Sequence, residues 1–449
     1  MRNLFNLILI SLFYLGQGYL FAQPVNEVIY IGPGGAEGIS DNGKIVVGSF
    51  GDKGYYWTYG TGRVELGWCH PYDVTNDTMI VGDFLDPTVT TPEGDTCFVA
   101  GYWKDGQWHN IGSLLAEPFH PDWYTDAFGV SSDGSTIVGM QWWDYSHVEA
   151  YKWTQADSFT MLGMNGGQGS KALGVNADGS IVVGWDENSN FERRAVMWNP
   201  DSFYLGTLAN PPSELGEAHD ISPNGLYIVG GSDGRAFVWT ETGGMVDLNP
   251  TGNQNDYADD VSDNKVIVGT YETSTIHNDG FVYTDENGFE LIEDFFARNN
   301  VTYGNPDWAY FDYCQAISRD GTVIAGSGYR TTTEAAYESW VVYLDTPSEL
   351  PSESAVATDF KLEQNYPNPF NPSTTIAFSL PVAAPVKLVV YDLQGRKVRT
   401  LLNESLPAGA QQVKWDANDD FGRPVASGVY LYTLDSENFS QTKKMLLVR

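Results

Sequence analysis

Cleaving a glycosidic bond takes two carboxyl groups held at a set separation across a sugar ring, and Asp122, Asp144, Glu149, Asp186, Glu187 and Asp307 fall in segments that read as long loops. The chain holds 58 Asp and Glu in all, so a pair can be drawn almost anywhere, and solvated surface is the plainer reading. The six His, at 70, 109, 120, 147, 219 and 277, show no HExxH or other ligand spacing, which leaves catalytic zinc without a pattern. No P-loop, Rossmann glycine fingerprint or D-x-D-x-D-G calcium run is present, so no cofactor and no metal are expected. The residues better suited to recognition are aromatic: Trp68, Trp123, Tyr124, Trp142, Trp143, Trp185, Trp308 and Tyr310. Two of their segments share a phrase, Pro121-Asp122-Trp123-Tyr124 and Pro306-Asp307-Trp308-Ala309-Tyr310. Exposed Trp and Tyr present flat apolar area at little rotamer cost, and beside Asp and Asn they suit sugar rings or the anchors of a protein interface. The alternative is that long loops fold back and bury their own Trp; the sequence leaves both open.

These residues are positioned by a repeat. Seven copies of one phrase run along the chain: AEGISDNGKIVVG, PYDVTNDTMIVG, AFGVSSDGSTIVG, ALGVNADGSIVVG, AHDISPNGLYIVG, ADDVSDNKVIVG and CQAISRDGTVIAG. Asp-Gly or Asn-Gly between β-branched runs is a hairpin signal, because φ > 0 is cheap there. Each copy opens a unit of four short strands; in the fourth they are KALGVN, SIVVGWD, RRAVMWN and SFYLGTL. Units of roughly forty residues with variable loops predict four-stranded propeller blades. The seventh unit lacks its fourth strand, while NEVIYIG precedes the first copy as a strand without a blade. Joining Val28 to Ile31 onto the last blade would close a ring of seven and remove its open edges.

Trp57, Trp103, Trp153, Trp198, Trp239, Tyr283 and Trp340 recur near the end of the third strand and read as inter-blade core. The connections from strand two to three and from blade to blade share one face of such a ring, and the unrepeated aromatics are expected to rim it. The second residue of each phrase varies in chemistry, and Glu37, Tyr72, Phe128, Leu173, His219, Asp259 and Gln315 are expected near the channel mouth.

The formal net charge is −34. From Phe360 onward Lys and Arg outnumber Asp and Glu by 10 to 8, so the acidity lies upstream. An acidic body repels nucleic acid and anionic membrane surfaces, which excludes nucleic acid as an expected partner. Residues 1–22 carry one Arg, an apolar run from Leu4 to about Leu15 and a small residue, Ala22; they read as a cleaved secretory signal, the run being short for an anchor. No later stretch is apolar enough to span a bilayer, so no transmembrane segment is expected in the mature chain. Three cysteines make no disulfide framework; Cys314 stands where five other copies have Ala, and Cys69 with Cys97 is the one pair to test.

The phrase, with AFVWTETGGMVDL at Ala236 to Leu248 and AVMWNPDSFYLGTL at Ala195 to Leu208, resembles the HAF-type extracellular repeat proteins. The resemblance covers Val25 to Asp345 and implies no particular activity. The propeller is thus expected over 23–345, followed by a Pro-, Ser- and acid-rich linker over 346–359. Residues 360–449 alternate apolar and polar residues between turn clusters and predict a small antiparallel Ig-like sandwich. This tail closely resembles the C-terminal sorting domain of the type IX (Por) secretion system. The matching residues are Asn365-Tyr366-Pro367-Asn368-Pro369-Phe370-Asn371-Pro372, Tyr391 to Arg396, Ser427-Gly428-Val429-Tyr430 and Lys443-Lys444-Met445-Leu446-Leu447. It implies a secretion machinery as partner, passage through the periplasm, and a mature protein that is secreted or held at the outer cell surface. The expected function is a binding protein for glycan or protein. The rivals are an extracellular polysaccharide-degrading enzyme, hydrolase or lyase, and a structural envelope component without a discrete site.

Overall fold

The computed structural model describes residues 26–115, 118–208, 215–250, 255–272, 278–303, 308–330, 337–344 and 361–448, the last apart from 363–364, 366–369, 371–373, 381–383, 393, 407–408, 416, 421–422 and 437–438. The expected signal and linker lie outside the described residues. The chain forms two compact units, Met1–Thr346 and Pro347–Arg449.

The protein is all-β, and its first unit is a ring of four-stranded antiparallel blades. Blade 3 shows the pattern: Thr125–Val130 lies innermost, then Thr136–Asp144, His147–Thr154 and Ser158–Met161. Blades 4, 5 and 6 repeat it over 170–204, 216–247 and 256–291. Blades 1 and 2 are continuous, because Gly62–Val74 serves both: its first half pairs with Lys53–Thr58 and its second with Ile80–Thr90. In blade 7, Trp308–Ile317, Val323–Arg330 and Tyr337–Tyr343 are completed by Val28–Pro33, with Val28 opposite Val342. The strand from the start of the chain therefore closes the ring, and the innermost strands lie side by side around a channel.

The packing explains the phrase residue by residue. In every blade the innermost strand shifts register at the second phrase position, a β-bulge. The first phrase residue sits opposite the last glycine: Ala36 opposite Gly48, Ala172 opposite Gly184, Ala218 opposite Gly230. The bulge drives a carbonyl toward that glycine, where a Cβ would lie 1.9 Å from the Lys171 oxygen at Gly184 and 2.1 Å from the Glu217 oxygen at Gly230. No side chain fits there. The Ser, Thr or Asn of the phrase closes the following turn; the Ser222 Oγ donates to Asn224 Oδ1 at 2.8 Å and accepts the Tyr227 N–H at 3.0 Å.

The third-strand aromatics differ from expectation at one blade. Trp57, Trp153, Trp198, Trp239 and Tyr283 oppose the residue two before the phrase's final glycine, whereas Trp340 opposes Gly326 itself. Trp340 therefore takes the place of Tyr55 or Phe281, and Val342 fills the slot of the other tryptophans. The sequence also gave no sign of a helix, yet Ile292–Arg298 forms one after blade 6. It buries Ile292, Phe295 and Phe296, and Phe296 meets Trp340 edge-on at 5.7 Å. All three cysteines are buried and free.

The second unit is a sandwich of a three-stranded sheet, with Thr374–Leu380 between Lys361–Leu362 and Gly409–Trp415, and a four-stranded sheet built from 384–447. Its core gathers Phe370, Phe378, Trp415, Tyr430, Tyr432 and Met445. Among the described residues no helix is long and apolar enough to cross a membrane.

Candidate functional site

The bulge turns two consecutive residues of each innermost strand toward the channel, which is why the second and third phrase positions line it. The cavity measures about 390 Å³ and draws walls from all seven blades. Glu37, Tyr72, Phe128, Leu173, His219, Asp259 and Gln315 all line it. Tyr72 and Phe128 pack ring to ring at 5.0 Å, with the Lys171 ammonium 3.8 Å from the Phe128 centroid. Gln315 Nε2 donates to Glu37 at 3.4 Å, and His219 Nδ1 stands 3.7 Å from Asp259. Burial works against a charged His219 ring, but the Asp259 carboxylate outweighs it and raises the pKa.

Deeper in the channel lie three aspartates that the sequence reading passed over: Asp73, Asp220 and Asp260 at the third phrase position, where other copies have Gly38, Gly129, Gly174 and Ala316. Asp73 accepts the Val74 N–H at 2.7 Å and reaches across to the Val130 N–H of the next blade at 2.9 Å. Asp260 does the same with Val261 and Ile317. Burial pushes the Asp73 carboxyl up to about 7 against those two bonds. Burial and the neighbouring Asp260 carboxylate hold Asp220 well above the ordinary range. Their signal was in plain view, an acidic residue breaking a Gly/Ala position.

The aromatic candidates divide. Trp68 is 53% exposed, with the Lys53 ammonium 5.8 Å over its ring. Trp123 stacks on His120 at 4.5 Å and on Trp142 at 5.7 Å, and Tyr145, 65% exposed, stands edge-on to it at 5.2 Å. His120 and Tyr145 were not foreseen as members of this group. Trp143 is half-buried and its indole N–H donates to Glu149 at 3.2 Å. Tyr310 is exposed, while Trp308 is half-buried against Phe311 at 5.1 Å.

Tyr124 and Trp185 are not on the rim. Tyr124 is buried in the core between blades 1 and 2, its hydroxyl donating to the Leu115 carbonyl, in the bend that precedes the strand Thr125–Val130. Trp185 lies within Val182–Glu187 and is buried beneath the Arg193 guanidinium at 4.3 Å. Of the aromatic candidates that remain exposed, Trp123 stands with Tyr145 on blades 2–3, Tyr310 on blade 7, and Trp68 apart on the strand joining blades 1 and 2; Phe50, Phe191 and Phe203 are exposed elsewhere.

Most of the described loop carboxylates are engaged with neighbours of their own. Asp144 closes its own turn onto the Ser146 N–H, Asp186 is buried against Arg194 at 3.0 Å, and Glu187 accepts the Gln168 N–H. Asp122 is exposed, and Asp307 lies outside the described residues. Gly230-Gly231-Ser232-Asp233-Gly234 has the spacing of a nucleophile elbow, but it is a β-hairpin, and the buried Ser232 Oγ accepts the Leu208 N–H at 3.0 Å. Among the described residues no three His, Cys, Asp or Glu are placed to hold a metal ion.

In the tail, Asn365, Phe370 and Tyr430 of the candidate sorting motif are buried and Lys444 is exposed. Asn365 Nδ2 donates to Thr374 at 2.9 Å, and the Tyr430 hydroxyl donates to the Ala426 carbonyl. Gly428 and Lys443 are partly buried on the last two strands. Tyr366, Pro367, Asn368, Pro369, Asn371 and Pro372 lie outside the described residues.

A family model, the FlgD Ig-like domain, matches residues 368–439. No curated protein sequence matches the chain. Among solved structures, TolB from Acinetobacter baumannii is similar at 11% identity and a TM-score of 0.34, over 53% of this chain and 58% of that one. PorZ of Porphyromonas gingivalis, described as a surface component of its type-IX secretion system, is similar at 12% identity and 0.28, over 92% and 74%. The β-propeller domain of the Trilobed protease from Pyrococcus furiosus gives 10% and 0.32, over 72% and 97%. At these values no ligand, partner or activity carries across.

Proposed function

We propose that this chain is an extracellular binding protein whose propeller presents the loop face around the channel mouth to a glycan, and whose tail directs export. The observation that carries the reading is the group His120, Trp123, Trp142 and Tyr145, in which Trp123 and Tyr145 are exposed and His120 and Trp142 half-buried, beside the acceptors Asp122 and Asp144. Aromatic faces and edges next to carboxylates suit the apolar face and hydroxyls of a sugar. The polysaccharide-degrading alternative needs two carboxyls free to act across a subsite. Asp73 and Asp260 instead spend both oxygens on backbone N–H groups, and Asp220 is turned to Asp260. Binding is therefore the better reading.

The test is a panel of soluble polysaccharides and oligosaccharides offered to the wild type and to Trp123→Ala and Tyr145→Ala. Binding that disappears in folded variants supports a glycan face; a folded wild type that binds no glycan moves the ligand to a protein, or the role to a structural one. For the route, residues 1–22 serve as secretory signal and 360–449 as a type IX sorting domain, a reading supported by the motif set and by the Ig-like match. Truncation after Asp345 should leave the protein inside a type IX-competent cell. Undiminished export of the truncated chain would sink it.

A further inference from the structure

On the same face, away from the aromatic group, a cleft of about 560 Å³ opens between blades 5 and 6. It exists because the repeat is broken at one residue. The position after the phrase's final glycine holds Ser49, Asp83, Met140, Trp185, Thr270 and Ser327 in six blades and Gly231 in the fifth. In blade 4 that residue, Trp185, lies under Arg193, which reaches on to Glu217 of blade 5 at 2.6 Å and closes the corresponding space. Gly231 puts no side chain there, and Tyr257 of blade 6 becomes the wall: a Cβ at Gly231 would meet only the Tyr257 Cβ, tightly, at 3.3 Å.

The lining is one-sided in charge. Leu215 and Tyr257 supply apolar surface, with His219 edge-on to Tyr257 at 5.6 Å where the cleft meets the channel. The acidic groups are Glu217, Asp233, Asp256 and Glu272, and among the described residues no Lys or Arg lines the cleft. Asp256 is satisfied by the Ala236 N–H and by Asn249, and Glu217 by Arg193. Asp233 and Glu272 have no side-chain partner among the described residues. Asn255 beside them is held at φ 120, a conformation rare for a residue with a side chain, and its N–H and carbonyl tie Gly234 to Glu272 across the cleft.

We propose that this cleft binds a lysine or arginine side chain of a protein partner. The apolar stem would lie along Tyr257 and Leu215, and the cation would meet Glu272 and Asp233 at the mouth. Long basic side chains are built this way, an apolar stem ending in a charge, and the aromatic wall adds attraction for the cation. The proposal is independent of the glycan reading, since it rests on other blades.

The test offers the full chain two peptides at physiological ionic strength: acetyl-Lys-Gly-Lys-Gly-Lys-amide and its counterpart with norleucine for lysine. The wild type should bind the first and not the second. A chain of this net charge attracts any cation loosely, so the deciding variant is one that leaves charge untouched. Gly231→Trp, which installs the blade 4 residue, should weaken the lysine peptide by about tenfold or more, and Glu272→Gln by a smaller factor. Gly231→Ser, the residue of blades 1 and 7, serves if the tryptophan disturbs folding, and should give an intermediate loss with a melting curve little changed. Equal affinity in wild type and folded Gly231 variants would mean diffuse attraction and would overturn the proposal, as would no binding by the wild type.

Discussion

The two faces of the ring obey different rules. On the face of the strand one-to-two turns, the copies solve one problem the same way: a Ser, Thr or Asn accepts the N–H returning from the turn, as Ser131 does for Thr136, Asn176 for Ile181 and Ser318 for Val323. On the loop face the corresponding position varies widely, with Trp185, Gly231 and Asp83 as structural equivalents and serine shared by blades 1 and 7. A buried backbone group must be satisfied in every copy, so the turn face is fixed by hydrogen-bond accounting. Residues on the loop face are free of that demand: some bond within their own blade, as Thr270 does to Asp259 and Ser327 to Gln315, and others turn to the next, as Trp185 does under the Arg193 that reaches Glu217.

Adjacent glycines test this difference most sharply. Gly230 belongs to the fixed pattern, with the Glu217 oxygen 2.1 Å from where a Cβ would be; Gly231 belongs to the variable one, with its nearest neighbour at 3.3 Å. Gly230→Ala should cost on the order of 3 kcal/mol or more, because the bulge itself must shift. Gly231→Ala asks only the Tyr257 Cβ to yield by a few tenths of an ångström and should cost about 1 kcal/mol or less. Thermal or denaturant unfolding of the two variants decides it, and equal losses would erase the distinction. Next in size is Ser222→Ala, which strips a fully buried hydroxyl from the turn and leaves the Tyr227 N–H unsatisfied. About 1–2 kcal/mol is expected.

That difference also governs what could be read in advance. The hairpins, the blade count and the closing strand followed from the phrase and from the unmatched NEVIYIG, because hairpin turns and edge closure are local or combinatorial constraints. The channel mouth was legible for the same reason. The slip at Trp340 arose because aromatic content marks a strand but not its register, and a shift of two residues keeps the side chain on the same face. Trp185 failed as a rim residue because loop length estimated from sequence did not show how far the strands run, and Tyr124 because its partner, the Leu115 carbonyl, is met only in space. Tyr145 and Gly231 were invisible as site residues: one needed its neighbours Trp123 and His120 in space, the other mattered for what it lacks.

The channel sharpens the comparison through pH. Asp73, Asp220 and Asp260 are held above the ordinary carboxylate range, chiefly by burial. A carboxyl whose pKa is higher folded than unfolded stabilises the protein most below the unfolded value, and that stability is lost as pH rises through the folded one. The melting temperature should therefore fall between about pH 4 and 7, by a few degrees. His70 and His219, also raised, add in the same direction. Carboxylates held low, such as Asp133 and Asp320, act below pH 4 with the opposite sign and leave this window alone. Asp220→Asn imitates the protonated carboxyl toward Asp260 and should flatten part of the slope. An unchanged slope in that variant would remove Asp220 from the account.

The smallest effect on stability is expected at Tyr145→Ala, and that smallness is informative. Tyr145 sits at the tip of a hairpin, edge-on to Trp123 and 65% exposed. Losing the contact should change unfolding by less than about 0.5 kcal/mol. If Trp123 and Trp142 were a self-contained satellite core, Tyr145 would be its lid, and removing it would loosen both rings and lower stability by more. If the group is surface kept for a ligand, stability stays put while sugar binding falls. Unfolding curves and the glycan panel, run on the same variant, separate a loop that packs for its own sake from one that packs for a partner.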